Sequence, residues 1–284
     1  MSRPETVSPR TLCIGVVVYD TDWERLRQTL VSTREAVACG AEQGGLEQVE
    51  LRLVDNKGVP GGGERLRQQA AELWQGAGCG PVQVLAPGRN LGYGVAANLA
   101  LEGSEADFLL VLNPDVSPDR DALVEAVRYL AEHPGVGLLS PRAVDGEGRR
   151  QYLCKTYPTL LILLLRGFLP GVGRVCCPGY LARYELRGVT EDEPATGDFL
   201  VSGCFMFFRR ETFRAAGGFD DAYFLYFEDF DLSLRAAEYA AIAYVPSVRI
   251  VHHGGGAARK GLRHILLFVR SAWRFFRSHG WRWF

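Results

Sequence analysis

The stretch FLYFEDFDLSLR, from Phe224 to Arg235, crowds three carboxylates into a run that is dense in aromatic residues. The acids are Glu228, Asp229 and Asp231. Carboxylates that lie a few ångströms apart raise one another's pKa, and burial among apolar groups raises it further. A carboxylate with a raised pKa suits general-base catalysis. The same pattern is typical of a helix N-terminus, where acids favour the helix dipole and aromatic residues pack inward, so residue types alone leave both interpretations open.

The composition is that of a globular chain with enough apolar residues to bury a large core. Its 284 residues are 47% hydrophobic and carry a net charge of −1, which argues against a protein that binds polyanions with its whole surface. The charge is unevenly spread, however, because no acidic residue follows Glu238. The length allows one large domain or two small ones.

The cysteines and the apolar runs indicate a cellular compartment. The 7 cysteines include the adjacent pair Cys176-Cys177 but no CxxC motif, so we expect reduced thiols rather than disulfides or a zinc site. Residues 1–10 contain no apolar region typical of a signal peptide. The longest apolar run, Leu160–Leu165, is too short to span a bilayer. These features predict a cytosolic protein.

Apolar runs with strand-like composition alternate with segments of helical periodicity in the first half of the chain. This alternation predicts an α/β domain whose mainly parallel sheet is flanked by helices. The first run is not followed by GxGxxG, which argues against a dinucleotide-binding oxidoreductase. A further strand is expected at Phe199–Phe208, whereas residues 141–197 show no regular pattern. The expected strands of the first half are Leu12–Tyr19, Val49–Val54, Val82–Ala86 and Asp107–Leu112.

Polar residues follow each of these strands at its C-terminal end. They are Asp20, Asp55, the pair Arg89-Asn90, and Asp115. In open parallel sheets, ligands bind beyond the C-terminal strand ends, so we expect these side chains to border one site. The alternative is ordinary turn and cap chemistry, which favours the same residue types.

Taken in order, these motifs resemble those of the family 2 glycosyltransferases of the GT-A fold. Asn-Pro-Asp is a weak signal by itself, but the ordered set is specific and covers most of the chain. The matching residues are Tyr19-Asp20, Asp55-Asn56, Asn90-Leu91-Gly92, Asn113-Pro114-Asp115, Gly217-Gly218-Phe219-Asp220, Phe227–Arg235 and His252-His253-Gly254-Gly255.

The resemblance implies a GT-A fold and a divalent metal, Mg²⁺ or Mn²⁺, as cofactor. A nucleotide diphosphate develops negative charge as it leaves a sugar, and a divalent cation held by hard oxygen ligands stabilises that charge. By resemblance, Asp115 supplies the metal carboxylate and His252 a second contact to the metal or the diphosphate. The alternative for His252 is a histidine that ends a strand and is satisfied by a backbone bond.

The resemblance also assigns the donor and the acceptor sides of the site. Asp229 is implied as the general base that deprotonates the acceptor hydroxyl in an inverting single displacement, with Glu228 and Asp231 as competing candidates. The alternative role of those two acids is to orient Arg235 or nearby amides. The nucleotide-sugar donor is implied to contact Tyr19, Asp20, Asp55, Asn56, Arg89, Asn90, Asn113 and Asp115.

Two positions depart from the family pattern. Asn113 stands where many members have a carboxylate, which leaves fewer protein charges on the metal. Ala257-Ala258 stand where members often have a serine after the glycines, so a contact to the diphosphate is missing from the pattern.

Within the family, the motifs are most similar to those of bacterial rhamnosyltransferases that use dTDP-L-rhamnose in polysaccharide or O-antigen assembly. This resemblance implies transfer to a hydroxyl of a lipid-linked glycan precursor. The alternatives are another donor, such as UDP-N-acetylglucosamine or UDP-galactofuranose, and a nucleotide-sugar-binding protein without catalysis. The sequence leaves the acceptor, the linkage, the preferred metal and the oligomeric state open.

The C-terminal segment, residues 262–284, is predicted as an amphipathic helical appendage to a catalytic domain at residues 1–261. Arginines flank its apolar stripe and three aromatic residues close the chain, as in helices that lie in a membrane interface. We therefore expect a protein at the inner face of the cytoplasmic membrane that binds no nucleic acid. The alternative is a helix packed on its own domain or on a partner chain. The stripe consists of Leu262, Ile265, Leu266, Val269, Trp273 and Phe276, and the arginines are Arg263, Arg270, Arg274 and Arg277.

Overall fold

The first part of the chain builds the parallel region of a ten-stranded sheet in the order β3-β2-β1-β4. The structure is a computed structural model that describes residues 10–20, 22–167, 169–190, 192–254 and 261–284. These strands are β1 (Arg10–Val18), β2 (Leu46–Asp55), β3 (Cys79–Leu85) and β4 (Phe108–Leu112). Helices α1 (Trp23–Glu42), α2 (Gly62–Leu73) and α3 (Tyr93–Leu101) connect them. Every pairing among the four strands is parallel, so their C-terminal ends meet at one edge.

The second part extends the sheet with strands of both directions. Strand β11 (Phe205–Arg209) pairs antiparallel with β4, and beyond it follow β6 (Val136–Val144), β12 (Ala241–His252) and β5 (Val116–Pro118). β6 and β12 are parallel to each other, and β12 ends beside β5. This pairing brings the end of β12, which carries His252, next to the segment that follows Asp115.

Both faces of the sheet are covered, and this explains the continuous apolar run of β1. Its alternate residues Leu12, Ile14 and Val16 belong to one buried cluster, whereas Cys13 and Val17 belong to another on the opposite face. A strand buried on both sides cannot show the polar–apolar alternation of a half-exposed strand. The α/β architecture expected from the sequence is therefore confirmed.

Several boundaries differ from the sequence expectation. The expected strand 199–208 is interrupted at Ser202–Cys204 and forms β10 (Leu200–Val201) and β11 instead. The irregular region 141–197 contains three short helices, α5 (Leu160–Gly167), α6 (Pro170–Cys176) and α7 (Pro178–Tyr184). It also contains β7 (Arg150–Gln151), β8 (Cys154–Lys155) and β9 (Ala195–Gly197), which are too short to leave a periodic pattern. The other helices are α4 (Ala122–Glu132), α8 (Arg210–Ala215), α9 (Glu228–Ala237) and α10 (Gly261–His279).

Helix α10 is apolar on two faces, and its buried face is not the predicted stripe. Ala272, Phe275 and Phe276 are buried against Tyr223 and Phe227 of the acidic stretch. Most of the predicted stripe is exposed instead, and only Phe276 belongs to both faces. Among the described helices, α10 included, none is long and apolar enough to cross a membrane.

One glycine fixes the approach of the parallel region to the acidic stretch. Gly92 has φ +84, and a Cβ at this position would lie 2.5 Å from the carbonyl oxygen of Phe224. The backbone N–H of the next residue, Tyr93, donates to the same oxygen at 2.9 Å. Gly92 therefore joins the start of α3 to the segment that leads into α9.

We expect Gly92→Ala to lower the free energy of unfolding by about 1–3 kcal/mol more than Gly103→Ala, because only the first substitution forces a steric overlap. Gly103 also has positive φ, but nothing lies within 4 Å of a Cβ built there, so it serves as a control without a nearby backbone atom. Urea denaturation of both variants measures the difference. Equal losses would contradict the proposed close approach.

Candidate functional site

The loops after β2 and β3 are locked together by the side chain of Asn56. Its Oδ1 accepts from the backbone N–H of Leu91 at 2.8 Å. Its Nδ2 donates to Asn90 Oδ1 at 3.2 Å and to the carbonyl of Gly92 at 3.0 Å. Asn56 is buried, and both the oxygen and the nitrogen of its side-chain amide are hydrogen-bonded within the protein. The structure thus brings Asn56 and Asn90 together, as supports for the loop that begins α3.

Asp55 and Arg89 border the same edge on loops that touch. A Cβ on Gly58, which follows Asp55 closely, would lie 2.7 Å from the backbone nitrogen of Arg89. Asp55 is buried and its Oδ1 accepts from the N–H of Lys57 at 3.2 Å, whereas Arg89 is exposed.

Tyr19 and Asp20 lie at the exposed end of β1. Asp20 has positive φ, a conformation that aspartate adopts more readily than most residues, and forms a salt bridge with Lys57. The Lys57 ammonium lowers the pKa of Asp20, first through its hydrogen bond and then through its charge. The predicted donor residues of β1 and β2 are therefore adjacent at the edge, with the exposed members on its rim.

Asp115 and His252 meet where β5 pairs with β12. The Asp115 Oδ1 atom is buried without a hydrogen-bond partner and lies 3.7 Å from His252 Nε2. A Cβ on Gly254 would lie 2.3 Å from Asp115 Oδ2 and 2.8 Å from His252 Nε2, so only glycine leaves the space between them open. An unpartnered carboxylate oxygen facing an imidazole nitrogen fits a divalent cation that accepts oxygen and nitrogen ligands.

Gln151 sets the orientation of the His252 ring. The Gln151 Nε2 donates to the carbonyl oxygen of His252 at 3.0 Å, which fixes the amide so that its Oε1 faces His252 Nδ1 at 2.7 Å. Because Oε1 can only accept, Nδ1 carries the proton and Nε2 presents its lone pair towards Asp115. Such outer partners commonly orient metal-binding histidines. Burial lowers the pKa of His252, against the opposing effect of Asp115, which also favours the neutral ring.

The protein ligands for a metal are few. Within the described part of the chain, no group of three or more His, Cys, Asp or Glu residues could hold an ion. A metal bound by Asp115 and His252 would need further ligands from outside this pair, such as diphosphate oxygens or water. Gly255 and Ala257-Ala258 of the sequence motif lie outside the described residues.

Helix α9 begins at the acidic stretch after two residues in the left-handed region, Tyr226 with φ 72 and Phe227 with φ 66. Positive φ is rare for aromatic residues and persists where packing over-determines it, as at many functional sites. Phe227 is buried against Phe275 at a centroid distance of 5.2 Å. This packing holds the backbone turn that places Glu228 and Asp229 in the first turn of the helix.

Asp229 is held by two backbone N–H groups. Its Oδ2 accepts from Gly203 at 2.8 Å and its Oδ1 from Phe230 at 2.9 Å. Burial raises the pKa of Asp229, and these two hydrogen bonds oppose the rise by stabilising the carboxylate. The two hydrogen bonds thus orient Asp229, and burial increases its affinity for a proton.

Glu228 is in a different environment, although it is the adjacent residue. It is buried, and its Oε2 atom has no hydrogen-bond partner. Burial raises the pKa of Glu228 well above its usual value, and the charge of Asp229 raises it further. Of the two acids, Glu228 therefore has the more strongly raised pKa and holds its proton more tightly than Asp229.

Asp231 is engaged in a structural network. Arg235 donates to its Oδ2 at 2.8 Å and 2.6 Å, and Nε2 of His279 lies 2.8 Å from its Oδ1. Arg235 also donates to the carbonyl of Gly218 at 2.7 Å. This geometry matches the alternative stated for Asp231, the orientation of Arg235, and ties α9 to α10.

Tyr93 bridges the two sides of the site and was missed as a site residue in the sequence. Its hydroxyl lies 2.9 Å from Asn113 Oδ1 and 2.7 Å from the carbonyl of Gly203, whose N–H binds Asp229. Burial raises the pKa of Tyr93 well above its usual value, with further contributions that include the nearby Glu228, Asp229 and Asp115. The position of Tyr93 directly after Asn90-Leu91-Gly92 was the available signal.

Comparison with known proteins defines the class. The pattern that describes glycosyl transferase family 2 matches residues 13–215. The chain belongs to this family, and it is a glycosyltransferase enzyme with the mixed α/β architecture of the GT-A fold.

Its relatives include named rhamnosyltransferases. The N-acetylglucosaminyl-diphospho-decaprenol L-rhamnosyltransferase of Mycobacterium tuberculosis is 31% identical over 220 residues, which cover 70% of this chain and 69% of the relative. Rhamnosyltransferase WbbL of Escherichia coli K12 is 26% identical over 155 residues, about half of each chain.

Two solved structures share the fold at low identity. GalNAc-T7 with UDP, GalNAc and Mn²⁺ superposes with a TM-score of 0.58 at 16% identity, over 88% of this chain and 44% of that one. The mannosyltransferase PcManGT of Pyrobaculum calidifontis, in complex with GDP-Man and Mn²⁺, gives a TM-score of 0.55 at 20% identity. The superposition covers 96% of this chain and 62% of the mannosyltransferase chain. The chain thus spans less than two thirds of either structure.

The raised pKa of Glu228 predicts a pH dependence of stability. In the unfolded chain the group ionises near 4.5, whereas in the folded chain it keeps its proton to higher pH. The folded state therefore loses stability as the pH rises from the unfolded pKa through the folded one. We expect Glu228→Gln to show a smaller loss of unfolding free energy than the native chain between acidic and mildly alkaline pH.

Urea denaturation over a pH series measures this effect. Glu238→Gln is the matched control, because Glu238 is exposed at the end of the same helix. A Glu228→Gln variant with the pH dependence of the native chain would show that Glu228 does not bind its proton more tightly on folding.

Proposed function

We propose that this glycosyltransferase transfers L-rhamnose from dTDP-L-rhamnose to a hydroxyl of a lipid-linked glycan precursor, with inversion and with a divalent metal. The observation that carries the proposal is that the Tyr93 hydroxyl connects the two sides of the site, through Asn113 on one side and Gly203 on the other. One side carries Asp115 with an unpartnered carboxylate oxygen, and the other carries Asp229 with a raised pKa. Such a site can stabilise a leaving diphosphate and accept a proton in the same place.

On the leaving-group side, Asp115 and His252 would hold Mg²⁺ or Mn²⁺. When bound, the cation would supply charge stabilisation to the departing diphosphate oxygens. Gln151 keeps the His252 nitrogen available, and Gly254 leaves room between the two ligands. Asn113 stands where the family pattern has a carboxylate. Its Oδ1 accepts a hydrogen bond from the Tyr93 hydroxyl, and it adds no charge.

On the acceptor side, Asp229 would accept the proton of the attacking hydroxyl. The acceptor oxygen forms the new bond to the anomeric carbon from the face opposite the diphosphate, which leaves with the bonding electron pair. General-base catalysis requires a group that is ionised near the operating pH, which favours Asp229, because the pKa of Glu228 is raised more strongly. Asp231 is disfavoured because Arg235 and His279 already occupy its oxygens.

The donor nucleotide would lie along the edge formed by β1 and β2. Tyr19, Asp20 and Asp55 would contact the base and ribose, and Arg89 would lie near the nucleotide. Asn56 and Asn90 would act by holding the loop, because their side chains bind each other and the backbone of Leu91 and Gly92.

The rhamnose donor and the lipid-linked acceptor are supported by the relatives' names, among them an enzyme that acts on a decaprenol-linked diphosphate sugar. A transferase of the same fold that uses UDP-N-acetylglucosamine or UDP-galactofuranose is the alternative. A chain without catalysis is disfavoured, because such a chain has no need for a buried carboxylate pair that costs stability.

We expect Asp229→Asn to retain donor binding and to lose about 10²–10⁴-fold in transfer rate, because an amide cannot accept the proton. Asp231→Asn is expected to retain the chemistry per folded molecule but to lose about 1–3 kcal/mol of stability, because Arg235 and His279 lose their carboxylate partner. Single-turnover transfer and denaturation of both variants measure the two effects. An active Asp229→Asn beside an inactive, folded Asp231→Asn would reverse the assignment.

We expect dTDP-L-rhamnose to raise the unfolding temperature with Mn²⁺, and more than UDP-N-acetylglucosamine does, because a ligand that binds only the folded state stabilises it by mass action. Asp115→Ala is expected to remove the part of the shift that depends on the metal. Gln151→Met is expected to weaken metal-dependent binding by about 10–100-fold, because it releases the His252 ring.

Gln83→Met is the control for the glutamine substitution, since Gln83 is exposed on β3. Calorimetric titration of Mn²⁺ in the presence of dTDP gives the affinities. Metal-dependent binding that survives Asp115→Ala would exclude Asp115 as a ligand, and a stronger response to a UDP-sugar would exclude the rhamnose donor.

A further inference from the structure

Two segments of the chain are apolar, contain arginine and have no acidic residue. One runs from Tyr157 to Tyr184 and includes α5 and α6, and the other runs from Tyr239 to the C-terminus and includes α10. Sequence alone suggested a surface role for only the second of them. In this chain acids and bases are nearly equal in number, so two long segments without an acid are notable.

The fold joins these two segments. The backbone N–H of Leu160 donates to the carbonyl of Arg282 at 2.9 Å, and that of Leu161 donates to the carbonyl of Trp283 at 3.2 Å. Tyr157 donates to the carbonyl of Gly280 at 2.6 Å, and its ring packs on Phe275. The C-terminal tail is therefore paired with the start of α5 and forms one surface with it.

Most of the large apolar side chains that are exposed in the described residues lie on this combined surface. On α10, Leu262 is 80% exposed, and on α6, Val175 is 81% exposed. In the tail, Trp283 and Phe284 are 66% and 91% exposed. Exposed apolar side chains that cluster on joined segments are typical of interaction sites.

Arginines flank the apolar stripe of α10. Arg263 and Arg270 are exposed and, together with Arg274, line an open groove of about 440 Å³ between α10 and the segment Asp221–Phe224. Arg274 is neutralised by Asp220 at 2.7 Å. No described acidic residue forms a salt bridge with Arg263, Arg270 or Arg174 of α6, so their charge is available to an external anion.

The combined surface is in contact with the catalytic helix. Ser271 of α10 donates to the carbonyl of Leu225 at 2.8 Å, and Phe275 packs on both Phe227 and Phe230. His279 reaches Asp231 in the first turn of α9. Whatever covers the surface thus lies next to the element that carries Asp229.

We propose that α5, α6, the exposed stripe of α10 and the tail 280–284 form one docking face for the surface of an anionic lipid bilayer. The proposal deepens the proposed function, on which it rests for the lipid-linked acceptor. The apolar side chains enter the interface, and Arg263, Arg270 and Arg174 contact anionic headgroups. Docking in this orientation brings the acceptor side of α9 to the membrane.

Charge and shape favour a bilayer over a second protein chain as the occupant. Arginines beside the apolar stripe and tryptophans in the tail are arranged as in helices that lie in a membrane interface. A second copy of this chain would place the arginines of one face against those of the other, because neither segment contains an acid. No described helix spans a membrane, so the face would act as a peripheral contact.

The test is sedimentation of the full chain with vesicles of phosphatidylcholine mixed with phosphatidylglycerol, and with phosphatidylcholine alone. We expect binding to the mixed vesicles and weak binding to the neutral ones. Each basic residue near an anionic surface strengthens binding by about fivefold, so Arg263→Glu with Arg270→Glu should weaken it by roughly 25-fold or more. Val172→Asp with Val175→Asp should weaken it by about 10-fold or more, because the α6 contact is lost.

Matched controls are Arg25→Glu with Arg65→Glu on α1 and α2, and Val59→Asp with Val189→Asp, which are exposed elsewhere. These controls should bind like the native chain. Failure of the native chain to bind mixed vesicles, or native binding by the α6 variant, overturns the proposal. A dimer in analytical ultracentrifugation that the same variants dissociate, without vesicle binding, identifies a second copy as the occupant and also overturns it.

The titration of dTDP and Mn²⁺ in the absence of vesicles separates this inference from the proposed function. Native nucleotide binding without vesicle binding rejects the docking face and leaves the proposed function standing. Vesicle binding with the expected variant losses supports the docking face, even where the nucleotide titration rejects the rhamnose donor.

Discussion

The arrangement of the site depends on the contacts of the buried Asp231 carboxylate with two cationic or polar side chains. It lies in the first turn of α9 and is bound by Arg235 and His279. Arg235 continues to the carbonyls of Ala216 and Gly218, at the turn that precedes Phe219. Asn98 of α3 binds the N–H and the carbonyl of Phe219. One charge therefore links α9, α10 and α3, and its removal would leave the partly buried guanidinium of Arg235 without its carboxylate partner.

Three acids of the same chemistry have three environments within one helical turn. Asp231 is paired with cations, Asp229 is held by backbone N–H groups, and Glu228 has an oxygen with no partner at all. Burial and hydrogen bonding, rather than residue type, separate the proton affinities of Glu228 and Asp229. The charge of Asp229 adds to the effect of burial on Glu228, and both raise the pKa of Glu228 and disfavour two neighbouring charges.

Uncharged groups hold the two sides of the site in fixed positions relative to each other. Tyr93 contacts both Asn113 and Gly203, and Gly203 in turn binds Asp229. Gln151, on a strand of only two residues, fixes the orientation of the His252 ring. These contacts keep the reacting groups in place without adding charge, so the electrostatic field of the site is set by its few carboxylates and by what binds to them.

The sequence by itself determined the α/β class, the strands of the parallel region and the ordered motifs of the family. Each of these depends on local information, either hydrophobic periodicity or short motifs at strand ends. It also placed Asp115 and Asp229 as candidates for the site. Periodicity could not resolve the short elements of 141–197 or the break at Gly203, where too few residues repeat to form a pattern.

Only the tertiary structure decided which groups are buried, paired or free. The contact of His252 with Gln151 joins residues 101 positions apart, and the pairing of α5 with the C-terminal tail joins segments separated by most of the second half of the chain. Helix α10 is apolar on two faces, so the sequence alone could not say which face the protein would cover. Burial and hydrogen-bond partners belong to the folded arrangement, because residues distant in sequence supply them.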